Sequence, residues 1–184
     1  MNDADKRSSD EEVAIAQTDR LRLRRIVPDD AAFLLELLND PSFLANIGDR
    51  GVRSLDDARA YIDGGPVASY VRHGFGLYLV ELAEPREPIG ICGVLRRDGL
   101  ADPDLGFALL PRHWGRGFAL EAAQAVLEHA RATLGLRRLV AITLPGNQGS
   151  KRLLERIGFR LEGTIRLAGD SEELELYATH FTAE

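Results

Sequence analysis

Arg112-His113-Trp114-Gly115-Arg116-Gly117-Phe118-Ala119 joins an apolar, strand-like run, Leu105 to Leu110, to a long amphipathic run that starts near Phe118. A strand that turns through two glycines into a helix leaves N–H groups of the first helical turn without backbone partners. Those groups and the positive end of the helix dipole suit an anion, phosphate above all. Glycine lacks the Cβ that would hold a phosphate away from the backbone. The stretch therefore predicts an α/β fold that binds a phosphorylated molecule at this helix start.

The pattern on both sides supports that fold. Downstream, Leu120, Ala123, Val126, Leu127, Ala130 and Leu134 trace one helical face, and Gly135 supplies the stop. Leu139-Val140-Ala141-Ile142 is a short continuous apolar run, as in a strand covered on both faces. Ser150 to Ile157 reads as a short helix, and Phe159 to Phe181 as two strands around Ala168-Gly169-Asp170. Upstream, Leu21 to Ile26 nearly alternates, as a strand does. Pro28-Asp29-Asp30 then opens a helix that Asp40-Pro41 stops. Ser54-Leu55-Asp56-Asp57 is a capping-box start, and Gly64-Gly65-Pro66 is expected to break the helix that follows. Phe75 to Leu82 and Ile89 to Leu95 read as a strand pair joined by a turn at Glu84 to Pro88, with Asp104 to Leu110 as the next strand. The order β-α-α-β-β-β-α-β-α-β-β specifies one α/β domain with a mixed sheet.

Length and composition set the remaining bounds. At 184 residues the chain can bury one full core. Its net charge of −6 argues against a nucleic-acid surface and is compatible with a cationic substrate. No apolar run approaches the ~18 residues of a membrane span. Residues 1–16 are expected to form a disordered acidic tail, and 17–184 the domain. The single cysteine, Cys92, precludes an internal disulfide, as suits a cytoplasmic protein, and reads as a buried strand residue. His73, His113, His129 and His180 are scattered without metal-ligand spacing, so no metal is expected.

Three kinds of phosphate site use a strand, a glycine loop and a helix. A nucleoside-triphosphate loop needs Lys-Ser or Lys-Thr after its last glycine, which is missing here. A dinucleotide fingerprint needs a third glycine where Leu120 stands. The third kind is acyl-coenzyme A. Arg112-x-x-Gly115-x-Gly117 resembles the pyrophosphate signature of the GNAT N-acetyltransferase superfamily, (Gln/Arg)-x-x-Gly-x-(Gly/Ala). Asp104-Leu105-Gly106-Phe107, Phe118-Ala119-x-Glu121-Ala122, Asn147-x-x-Ser150 and Gly158-Phe159 extend the resemblance toward the ribosomal-protein-alanine N-acetyltransferase-like branch. Thr18-Asp19-Arg20-Leu21-x-Leu23-Arg24 resembles the first strand of that branch, so the likeness covers about residues 18 to 181.

The resemblance implies a mostly antiparallel sheet with a splayed parallel strand pair, and acetyl-coenzyme A between those strands. It carries the pyrophosphate onto backbone groups of Trp114, Gly115, Arg116, Gly117, Phe118 and Ala119, with Arg112 and Arg116 adding positive charge. Ala108, Leu109 and Leu110 would hold the pantetheine arm, joined by Asn147 and Ser150. Asn147 reads equally as the cap of the last helix. Many superfamily members place a tyrosine acid where this chain has Leu154, a departure that leaves Ser150 as the available hydroxyl.

The implied reaction is direct attack of a primary amine, on a protein N-terminus or a small molecule, upon the thioester. An α-amino group with a pKa of ~7.7–8 is ~10–20% neutral at pH 7, whereas a lysine amine at ~10.4 is neutral less than ~0.1% of the time. An N-terminal acceptor thus needs only a weak base. Asp104 is the candidate base and Glu81 a second, although a solvated acid at a strand start is the plainer reading of Asp104. Phe43 to Gly51 is expected to line the acceptor side, and His113 to border it while Trp114 packs under the loop. The chain is expected to act as a monomer or homodimer. The alternative is a coenzyme A-binding regulatory or interaction module without catalysis.

Overall fold

The computed structural model describes residues 14–168 and 172–181. It contains β1 (Ala14–Gln17), β2 (Leu21–Arg25), α1 (Ala31–Asn39), α2 (Pro41–Asn46), α3 (Leu55–Ile62), α4 (Ala68–His73), β3 (Leu77–Leu82), β4 (Pro88–Leu95) and β5 (Asp104–Leu109). These are followed by α5 (Phe118–Ala132), β6 (Arg138–Thr143), α6 (Gln148–Arg156), β7 (Arg160–Ile165) and β8 (Leu174–His180). The strands form one eight-stranded sheet in the order β1-β2-β3-β4-β5-β6-β8-β7. Every neighbouring pair is antiparallel except β5 and β6.

Both faces of the sheet are covered, which explains why β3 and β4 read as nearly continuous apolar runs. Alternation sends Tyr78 and Val80 toward α5, where they pack with Leu105, Ala122 and Val126. Leu77 and Leu79 point the other way, into a cluster with Leu34, Leu37, Ala58 and Ile62 from α1 and α3. The sheet thus holds α5 and its preceding loop rigidly on one side.

On the α1 face, β2 contributes two arginines that the core tolerates only because they are paired. Glu81 is 4% exposed. Its carboxylate accepts from Arg22 at 3.2 Å and Arg24 at 2.8 Å, and Arg24 also grips Asp30 at 2.8 Å. Glu81 is therefore committed to the fold, which removes it as a candidate base.

Three local expectations change. Residues 14–16, expected in the tail, belong to β1, because Ile15 and Ala16 pack on the core while the strand pairs with β2; the rest of the expected tail lies outside the described residues. Asp40-Pro41 ends α1 but also starts α2, with the Asp40 side chain accepting from Ser42 N–H and proline at the first helical position. Gly64-Gly65-Pro66 does not break α3. A π-helical turn, Asp63–Val67, carries the chain into α4, with Ala68 N–H bonded back to Asp63 C=O. That wider turn absorbs the proline, whose missing N–H would interrupt an α-helical ladder.

Removing one member of the buried ion network leaves two cations without their shared anion. Glu81→Ala should lower stability by about 3–5 kcal/mol, read by urea denaturation.

Candidate functional site

β5 and β6 share a single register position, Asp104 opposite Val140. There Val140 N–H donates to Pro103 C=O at 3.0 Å. Beyond that point β5 stays on β4 and β6 stays on β8, each through its antiparallel ladder. Neither strand can follow the other, so they diverge as a wedge. Leu110 N–H bonds Ile89 C=O on β4 at 3.0 Å. Strand alternation therefore turns the backbone groups of Leu105, Phe107 and Leu109 toward the wedge. Those of Ala108 and Leu110 turn away to β4, so of the three expected strand residues Leu109 alone faces the wedge, together with Phe107.

At the mouth of the wedge, β5 runs through a 3-10 turn, Pro111–His113, into the glycine loop. Gly115 and Gly117 have φ of 71° and 80°, a region that costs residues with a Cβ about 1–2 kcal/mol. Trp114 N–H already donates to Pro111 C=O at 3.0 Å, so the group of free donors begins at Gly115 rather than Trp114. Glu121 N–H donates to Gly117 C=O at 3.1 Å, whereas no backbone carbonyl among the described residues accepts from residues 115–120. The loop and the first turn of α5 form a cluster of donors at the positive end of a 15-residue helix.

The side chains of the loop are arranged differently from expectation. His113 is the residue turned inward, 5% exposed, beside Phe118 and 3.4 Å from Glu87. Trp114 is 54% exposed, and its indole N–H donates to Leu109 C=O at 2.8 Å. That bond occupies a carbonyl at the wedge mouth. Arg112 reaches away, to Glu36 on α1 at 2.6 Å. Arg116 lies against the Phe118 ring, 4.8 Å from its centroid.

Asp104 is placed at the vertex of the wedge rather than in its mouth. It is 0% exposed, and Arg97 Nε donates to its Oδ2 at 2.8 Å. Its Oδ1 is buried without a hydrogen-bond partner. A base must reach the proton it takes. Asp104 is enclosed where β5 and β6 meet and is ion-paired with Arg97, a setting that suits a structural pin better than the expected base.

The other arm of the wedge ends in Leu144 to Asn147. The Asn147 side chain caps α6, accepting from Ser150 N–H at 3.1 Å, so the cap reading of Asn147 holds and brings Ser150 beside it. Leu154 is fully buried in the core. Next to this arm lies a cavity of about 510 Å³, lined by Ala45 and Asn46 of α2, by residues 144–147, and by Glu172 and Glu173. The expected acceptor segment thus contributes Ala45 and Asn46, while Phe43 turns into the core and Asp49 pairs with Arg53. Glu172 and Glu173 escaped the sequence reading. Two adjacent acids before a strand carry no periodicity, and their only signal was the acidic character of the hairpin.

The comparisons with known proteins point one way. The family model for the acetyltransferase (GNAT) domain matches residues 20–160. An uncharacterised N-acetyltransferase of Bacillus subtilis, YoaA, is 30% identical over 156 residues, 83% of this chain and 86% of its own. The ribosomal-protein-serine acetyltransferase of Escherichia coli is 27% identical over 90% of this chain and 89% of its own. The crystal structure of an acetyltransferase from Agrobacterium tumefaciens superposes with a TM-score of 0.76 at 30% identity, covering 90% of this chain and 93% of that one.

Two measurements test this geometry. Gly117→Ala should cost about 1–2 kcal/mol in urea denaturation, because alanine resists its left-handed backbone. For Asp104, burial raises the carboxyl above its ordinary range against the pull of the Arg97 guanidinium. The folded chain then holds this proton more tightly than the unfolded chain, so the contribution of Asp104 to stability falls as pH rises through its titration. Wild-type stability minus that of Asp104→Asn should accordingly decline from about pH 4 upward. A rise would mean that Arg97 outweighs the burial.

Proposed function

Because the chain belongs to the GNAT acetyltransferase family and is an acetyl-coenzyme A-dependent N-acetyltransferase, we propose that it acetylates the primary amine of a positively charged acceptor. The observation that carries this reading is the opposite character of the two sides of the wedge. One arm ends in backbone donors and the positive pole of α5; the cavity beside the other is walled by Glu172 and Glu173.

The residues fit the donor. Gly115 and Gly117 leave no side chain over the N–H groups that would take a pyrophosphate, and Phe107 with its N–H and C=O and Leu109 with its N–H would meet an extended arm. When bound, acetyl-coenzyme A supplies a thioester carbonyl for a neutral amine to attack. Glu172 and Glu173 draw the acceptor in as its ammonium form, and one of them, directly or through water, takes the proton. Asn147 and Ser150 would steady the arm of the cosubstrate, and Ser150 would supply a hydroxyl to the leaving sulfur. A coenzyme A thiol, with a pKa of about 8.5 if it behaves as a cysteine does, leaves near neutral pH without a dedicated acid. The Escherichia coli relative acts on a ribosomal protein. A protein N-terminus and a small polyamine both meet the requirement for a cationic amine, and the N-terminus needs less help to lose its proton.

The test is thiol release from acetyl-coenzyme A across a panel of a neutral amine, a polyamine, and peptides with basic or acidic N-terminal sequences. Cationic acceptors should turn over best. Two charges ~4 Å apart in water interact by about 1 kcal/mol, so Glu172→Gln and Glu173→Gln should each raise KM for a cationic acceptor about five-fold. Asp104→Asn should leave the pH dependence of kcat/KM between about pH 6 and 9 unchanged if the proton goes to the acidic wall, and a lost limb would return Asp104 to the role of base. Preference for the acidic peptide would overturn the charge reading. Tight coenzyme A binding without turnover of any acceptor would favour the non-catalytic module.

A further inference from the structure

Arg20 stands in the turn between β1 and β2, almost a hundred residues before the glycine loop, yet it contacts the loop at three places. Its Nε and Nη2 both donate to Glu121 Oε2, at 2.7 and 2.5 Å. Its Nη1 donates to Arg116 C=O at 3.0 Å. Its guanidinium lies 4.8 Å from the centroid of the Phe118 ring, the same distance as that of Arg116. A Cβ built on Gly117 would come within 3.4 Å of Arg20 Nη2. From the same turn, Thr18 Oγ1 donates to Glu121 Oε1 at 2.5 Å.

These contacts resolve a conflict of charge. An acid in the first turn complements the helix dipole. A phosphate bound to the same N–H groups would be repelled by it. Burial of Glu121 works against its charge, and hydrogen bonds from Thr18 and Arg20 more than offset that, holding its carboxyl below the ordinary range. The other charged groups of the loop do not do this work. Arg112 is engaged by Glu36, His113 lies beside Glu87, and Arg116 lies against Phe118.

We infer that Arg20 is a positioning residue for the cosubstrate: it neutralises Glu121 and anchors the Arg116 carbonyl, so that the donors of residues 115–120 meet the phosphates without a competing carboxylate. The inference rests on reading the loop as the coenzyme A site. It assigns the β1–β2 turn a part in donor affinity and none in the chemical step.

Calorimetric coenzyme A affinity and steady-state kinetics on wild type, Arg20→Ala, Glu121→Gln and the double variant test it. Exposing one like charge near the phosphates should weaken coenzyme A and raise KM for acetyl-coenzyme A about five- to ten-fold in Arg20→Ala, with kcat within about two-fold. Glu121→Gln should bind within about two-fold of wild type, and the double variant should recover most of the loss because the uncancelled carboxylate is gone. The deficit of Arg20→Ala should shrink as salt rises from about 0.05 to 0.5 M, since repulsion at an exposed site is screened. If Arg20→Ala does not fold, Arg20→Lys, which keeps the charge, should retain affinity within about three-fold. An equal loss in Arg20→Ala and in the double variant, insensitive to salt, would make Arg20 a mere buttress and overturn the inference. Wild type that binds no coenzyme A would instead remove the cosubstrate reading, and this inference with it.

Discussion

The site depends on one backbone contact. β5 and β6 are parallel neighbours that meet only where Asp104 faces Val140, and each is tied on its outer side to an antiparallel partner. A full parallel ladder would have closed the sheet and consumed the backbone groups of Leu105, Phe107 and Leu109. The single contact fixes the vertex, and the two outer ladders hold the arms apart. Asp104 is buried at that vertex with Arg97, where an acid serves geometry.

From the wedge follow two surfaces of unlike character. The β5 arm feeds a loop whose glycines take left-handed backbone, and N–H groups without backbone partners gather at the start of α5. The β6 arm feeds Asn147 and the cavity with Glu172 and Glu173. A cluster of N–H donors and an acidic wall stand apart, as the proposed anionic cosubstrate and cationic acceptor would require. The pairing of Arg20 with Glu121 extends the same logic into the loop itself, where an acid favourable to the helix stands beside the proposed phosphate site.

Much of the fold was legible because its signals are local. The periodicity from Leu120 to Ala130 fixed α5, and the Ser54–Asp57 capping box appears as the start of α3. The apolar runs became the central strands, and the family resemblance carried by the loop and its neighbours agrees with the domain that matches residues 20–160. Errors fell where two local rules compete or where a distant partner decides. Gly64-Gly65-Pro66 carries strong breaker residues, yet a π turn accommodates them because buried Pro66 and Ile62 keep the segment packed. Residues 14–16 look like tail until β2 supplies a ladder. His113 and Trp114 are adjacent, and nothing in their order says which ring the core will accept.

By itself, the sequence determined the central strands, the long helix α5 and the glycine turn that opens it, while β1, α2 and the π turn lay beyond it, because only the former are written in neighbouring residues and in the φ values they permit. The tertiary structure decided the partners of the charged side chains. Asp104 met Arg97 and became a pin, Glu81 met Arg22 and Arg24, Arg112 met Glu36, and Arg20 met Glu121. A charge acts through whatever lies within a few ångströms of it, and in a folded chain those neighbours come mostly from distant sequence.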